Sequence, residues 1–154
     1  MSPVVRIERQ FAAPPALMYR AWLDPELLRR WMAPGDLVVT GVEVDERVGG
    51  RYRVWQSVDG IDGGGFDCEL AELVPDERIV WRWGFVGPQR GEGERFDSRL
   101  TVTLRPADSG GTHLTLVHER LEDLAAALPQ VADNVAVGWK SALDKLTEIT
   151  GAGA

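Results

Sequence analysis

Residues 4–11, "VVRIERQF", set apolar Val5, Ile7 and Phe11 against polar Arg6, Glu8 and Gln10, the period of a strand with one buried face. Arg9 interrupts the inner positions. The spacing then changes to threes and fours: Leu17, Met18, Ala21 and Trp22 follow Pro14-Pro15, which suits a first helical turn because a proline there forfeits no hydrogen bond. Asp24-Pro25 repeats that logic as N-cap and first helical residue. Leu27, Leu28 and Trp31 line the second short helix this predicts, and Pro34-Gly35 ends it.

From residue 37 onward the segments "LVVTGVEV", "RYRVWQSV", "FDCELAELV", "IVWRWGFV", "DSRLTVTLR" and "THLTLVHE" read as strands separated by turn residues, an antiparallel meander. After a weaker stretch, "RLEDLAAALP", residues 129–149 place Val131, Val135, Trp139, Ala142, Leu143, Leu146 and Ile149 on one helical stripe. This long helix is the one element able to cover the aromatic inner face of the meander. The pattern predicts an α+β helix-grip fold: a curved antiparallel sheet of about seven strands around a long C-terminal helix, with two short helices after the first strand. One domain spans 1–154 with its core over about 4–150, and a cavity between sheet and helix is the expected place for a ligand.

The length of 154 residues, 44% of them hydrophobic, fits one core. A net charge of -7 with no basic stripe argues against a nucleic-acid partner. Cys68 is the single cysteine, so no internal disulfide is available, and with no leader at the start a cytoplasmic location is the expectation. No apolar run approaches the ~20 residues of a membrane span. His113 and His118 sit on opposite strand faces, which argues against a metal site, and the glycines of residues 63–65 and "GEGE" lack the context of a phosphate loop. No cofactor is expected.

The ordered set "WLDPELLRRWMAPGD", "DERVGGRYRV", "ELVPDERIV", "LTVTL", "GGTHLTLVHE" and "GWKSALDKL" resembles the homologues of the ATPase activator of the ninety-kilodalton heat-shock chaperone. That family lies within the START-like superfamily, which also holds polyketide cyclases and the birch-pollen allergen. Trp22, Asp24, Pro25 and Trp31 match its "W-x-D-P...W" segment, Gly49, Gly50 and Tyr52 its "GG-x-aromatic", Glu72 and Pro75 its "E-x-x-P", and Gly138-Trp139 its "GW". Met32 and "RLEDLAAALP" depart from the pattern, and both fall near the mouth of the expected cavity.

Strand alternation turns Tyr52, Gln56, Glu72, Ser98 and His118 inward among apolar neighbours. The expected ligand site comprises Trp31, Tyr52, Phe66, Glu72, Trp81, Trp83, Ser98, His118, Val135 and Trp139. Tyr52, Glu72, Ser98 and His118 are its polar handles, Trp81 and Trp83 a stacking wall, and Trp31 its rim. Such a site suits a small hydrophobic or aromatic molecule. Two alternatives stand beside this reading. One is a cyclase- or hydrolase-like enzyme with Glu72 or His118 as base. The other, implied by the resemblance, is an interaction protein that stimulates the chaperone's ATPase. Trp55 and the arginines of "RYRVW" fall on the outer face, which suits a solvated sheet or a homodimer contact.

Overall fold

Strand β1 (Val5–Phe11) leads into helices α1 (Pro15–Leu23) and α2 (Pro25–Trp31). Strands β2 (Val38–Val44), β3 (Arg51–Val58), β4 (Ile61–Val74), β5 (Arg78–Val86), β6 (Arg95–Pro106) and β7 (Thr112–Glu119) come next. Helices α3 (Glu122–Ala127) and α4 (Val135–Thr150) follow among the described residues. This computed structural model describes residues 4–33, 37–58, 61–86, 95–127, 129 and 133–150. The predicted stop at Pro34-Gly35, the whole loop 87–94 after β5 and residues 130–132 of the predicted long helix lie outside the described residues.

The strands form one antiparallel seven-stranded sheet in the order β1-β7-β6-β5-β4-β3-β2. The meander therefore ends beside the strand that began the chain, with Val5 opposite His118 and Phe11 opposite Thr112. Helix α4 buries Val135, Trp139, Ala142, Leu143 and Leu146 against the inner face, the stripe read from the sequence. Arg9, the polar interruption of β1, reaches across to α4 and pairs with Asp144 at 2.7 Å. The weaker stretch after β7 is the helix α3, and Leu121 and Leu124 carry it into the core.

Asp24 separates α1 from α2 and caps the second, its Oδ1 accepting from the Glu26 amide at 2.9 Å. Short helices leave carbonyls unpaired at their C-terminal ends, and buried ones need partners from elsewhere. Side chains supply them. Trp31 Nε1 donates to Ala21 O at 2.9 Å, Tyr52 Oη to Trp22 O at 2.7 Å, and Gln56 Nε2 to Met32 O at 2.9 Å. Lys145 on α4 donates to Ala33 O at 2.5 Å and Leu37 O at 3.3 Å, and so holds both sides of the α2–β2 connection.

One predicted orientation is corrected. Alternation along β4 placed Glu72 inside, but the pairing with β5 shifts between Leu70 and Glu72: Leu70 faces Trp81, and Glu72 faces Val80. The extra residue reverses the faces of the positions after it. Leu73 packs against the core in its place, and Glu72 pairs with Arg78, its side chain 41% exposed. No helix among the described residues is long and apolar enough to cross a membrane.

Tyr52→Phe removes the hydroxyl and leaves the buried Trp22 carbonyl without its donor. The expected loss is about 1–3 kcal/mol of unfolding free energy by urea titration. A loss below about 0.5 kcal/mol would show that the hydroxyl does not hold α1 to the sheet.

Candidate functional site

Five of the six tryptophans meet between the sheet and α4. Trp81 and Trp83 share the inner face of β5 with ring centroids 5.9 Å apart. Trp22 from α1 lies 5.5 Å from Trp81 and 5.8 Å from Trp139, and Trp139 on α4 lies 5.3 Å from Trp83. Tyr52 on β3 and Phe66 on β4 extend the patch, at 5.5 Å from Trp81 and 4.7 Å from Trp83 respectively. Val135 is buried in the same core.

A short polar relay crosses this layer. Trp139 Nε1 donates to His118 Nδ1 at 3.0 Å, His118 Nε2 lies 2.7 Å from Ser98 Oγ, and Ser98 Oγ donates to Trp83 O at 3.0 Å. The donor rules fix the protons. An indole nitrogen only donates, so His118 Nδ1 must be bare, and its one proton sits on Nε2 and points at Ser98. Phe85 stacks on the imidazole at 5.4 Å with planes 10° apart. Burial lowers the His118 pKa to about 3, because a charged ring would lose its hydration there. Burial likewise holds the Tyr52 hydroxyl in its protonated form, well above its ordinary pKa.

This arrangement changes the roles expected of the site residues. Tyr52, Ser98 and His118 are inside, as strand parity requires, but their hydrogen bonds are already committed to the protein. Glu72 and His118 do not meet: β5 and β6 lie between their strands, three spacings of roughly 4.8 Å each. The lone pair that would make His118 a base is occupied by Trp139. Glu72 and His118 therefore form no acid–base pair in which either would serve as the base. Trp31 is not a rim residue either. It is 1% exposed, its N–H is bonded to Ala21 O, and it packs behind Trp22 in an edge contact at 4.6 Å.

The polar atoms left over belong to residues read as walls or core. Trp22, Trp81 and Trp83 are fully buried, and none of their indole N–H groups has a hydrogen-bond partner among the described residues. Edge contacts such as Trp81–Trp83, at 84°, return only part of a lost hydrogen bond. Trp22 was missed as a site residue because its helical spacing fits core packing equally well. Its place opposite Trp81 and Trp139 depends on the angle between α1 and the sheet, which no local pattern encodes.

Residues 12–151 match the family model described as activator of Hsp90 ATPase homolog 1-like protein. Among solved structures, protein CV1439 from Chromobacterium violaceum is 32% identical over 96% of each chain, with a TM-score of 0.78. Protein Ms6760 from Mycobacterium smegmatis is 26% identical, covering 95% of this chain and 89% of its own, with a TM-score of 0.77. The AHSA1 protein from Silicibacter pomeroyi shares the fold at 21% identity, with 96% of each chain covered and a TM-score of 0.73. A comparison with curated proteins gives no match.

The buried neutral imidazole makes stability depend on pH. Unfolding frees His118 to bind a proton below roughly pH 6.5, whereas the folded chain refuses it until about 3. The unfolded state thus binds more protons in that window. The contribution is complete above roughly pH 6.5 and is lost as pH falls toward 3, at up to ~1.4 kcal/mol per pH unit. Urea midpoints measured between pH 7.5 and 4.5 should show this slope, and His118→Phe should remove it. Equal slopes in the two proteins would place a charged or exposed imidazole at position 118.

Proposed function

The chain belongs to the activator of Hsp90 ATPase homolog 1-like family, and from that premise we propose that it binds a small, largely apolar or aromatic molecule between the sheet and α4. One observation carries the reading: three buried indole donors, on Trp22, Trp81 and Trp83, share one aromatic cluster without a protein acceptor among the described residues. Each such group costs about 1–3 kcal/mol when left unpaired, so three together are a standing penalty comparable with a sizeable part of a domain's stability. Burial without a partner is rare enough in folded proteins to require a reason, and a bound group that accepts from them supplies one.

The setting fits such a molecule. The cluster contributes ring faces for stacking, and its walls come from five elements, β3, β4, β5, α1 and α4, so a ligand there would be enclosed on most sides. An ATPase-stimulating role would instead rest on an exposed contact surface. The exposed large apolar residues among those described, Val4, Leu17, Val38, Val48 and Val137, come from separate segments of the chain.

Native mass spectrometry of freshly purified protein should show a retained small molecule. After its removal, methyl naphthyl ketone should raise the melting temperature and alter tryptophan fluorescence. A bare mass together with no response to the ketone, or to the hydrocarbon, alcohol and carboxylate of the same shape, each at its solubility limit, would overturn the reading.

A further inference from the structure

The hydrogen-bond inventory around the cluster is one-sided. Four acceptors beside the rings each hold a donor, and the Tyr52 oxygen, itself a donor to Trp22 O, is a further weak acceptor: His118 Nδ1 holds Trp139, Ser98 Oγ holds His118, Trp83 O holds Ser98, and Trp22 O holds Tyr52. The cluster's groups without partners among the described residues are all donors, the N–H of Trp22, Trp81 and Trp83. Trp81 is ring neighbour to both of the others, so the three form one continuous patch. None of the buried residues among those described is Lys, Arg, Asp or Glu, and the imidazole of His118 offers its single proton to Ser98.

Three ligand chemistries meet this inventory differently. A carboxylate would be buried without a countercharge, a cost that a few neutral N–H groups do not offset. A hydroxyl or amine would bring a donor to a cluster whose paired acceptors are occupied, leaving it the weakly accepting Tyr52 oxygen. A carbonyl oxygen brings two lone pairs and no proton, and an aromatic frame places it among rings that stack.

We infer that the molecule is an uncharged aromatic compound whose polar atoms are hydrogen-bond acceptors, of the aryl ketone type, with its carbonyl oxygen received by the indole N–H groups of Trp81 and its neighbours Trp22 and Trp83. This rests on the binding reading above and specifies the chemistry of the same site. The indoles here determine ligand choice through hydrogen bonding, in addition to packing.

Four naphthalene derivatives of one shape separate the possibilities: methyl naphthyl ketone, isopropenylnaphthalene, naphthyl ethanol and naphthoate. Calorimetric titration should rank the ketone at least roughly tenfold above the hydrocarbon and the carboxylate, with the alcohol between. In Trp81→Phe and Trp83→Phe, which keep a ring and lose the donor, the ketone's advantage over the hydrocarbon should shrink to about threefold or less while the hydrocarbon binds as before. Nitrogen-15 spectra of the unaltered protein give a readout that does not depend on the variants folding. Indole N–H protons should move downfield with the ketone and not with the hydrocarbon. Equal affinity for ketone and hydrocarbon, with no such shift, would overturn this inference and leave the binding reading standing. Tightest binding of naphthoate would overturn it in favour of a charged ligand. No binding by any member would remove the binding reading and this inference with it.

Discussion

A layer of aromatic rings closed off from water must find its hydrogen bonds inside the protein, and this constraint organises the molecule. Each tryptophan that buries a large apolar surface also buries an N–H, which must then find its acceptor away from bulk solvent. Trp31 meets the demand by donating to Ala21 O, which ties α2 back onto α1. Trp139 meets it by donating to His118, which ties α4 to β7 and settles the imidazole tautomer. Both bonds are also tertiary contacts, so the polar needs of the rings fix the geometry in which the rings pack.

The same constraint governs the short helices. Carbonyls at and just beyond their C-terminal ends accept from Tyr52 and Gln56 on β3 and from Lys145 on α4, while Asp24 supplies the cap between them. The outer face of the sheet works by different rules. There Arg82 pairs with Asp97 and Arg53 with Asp67 across neighbouring strands, in contact with water. Pairs of that kind contribute little to stability and mainly keep a sheet face of an acidic protein soluble. Trp55 lies on this face against Gly41 and Gly65, where a side chain on Gly41 would crowd its ring and one on Gly65 would strike the Val54 carbonyl. The sheet thus separates a charged, solvated surface from a dry one in which each unpaired donor carries a cost.

The architecture was legible in the sequence because it rests on periodicities: alternation in seven strands, a stripe of threes and fours in α4, and Asp24-Pro25 between two short helices. The site was legible only in part. Parity correctly turned Tyr52, Ser98 and His118 inward, yet parity reports a direction and says nothing about partners. The partners come from residues distant in the chain, as with Trp139 and His118, and a pattern read along the chain does not pair them. Glu72 was misplaced for a different reason. A single extra residue near Ala71 reverses the faces of β4, and nothing in "CELAEL" marks a bulge, since it contains neither glycine nor proline. Trp31 and Trp22 exchanged roles because the angle between α1 and α2 is fixed by hydrogen bonds to carbonyls, which the side-chain sequence does not display.

An aromatic cluster whose unpaired groups among the described residues are all indoles has a property that a more ordinary polar lining lacks. A serine or tyrosine hydroxyl can turn to donate or accept, and a glutamine presents both functions, so such groups adapt to many ligands. An indole N–H donates only, in the plane of a ring that neighbouring rings hold in place. Trp22, Trp81 and Trp83 are therefore three fixed donors with no capacity to accept and no charge to offer. Discrimination in such a site comes as much from what it cannot satisfy as from what it binds, because a ligand that brings a donor or a charge leaves that group buried and unpaired. The relay of Trp139, His118 and Ser98 reinforces this selectivity by keeping the one imidazole of the cluster neutral and its lone pair engaged. Residues that would have widened the chemistry of the proposed site are thereby occupied in holding the helix to the sheet, and on the proposed reading the choice of ligand falls to the tryptophans.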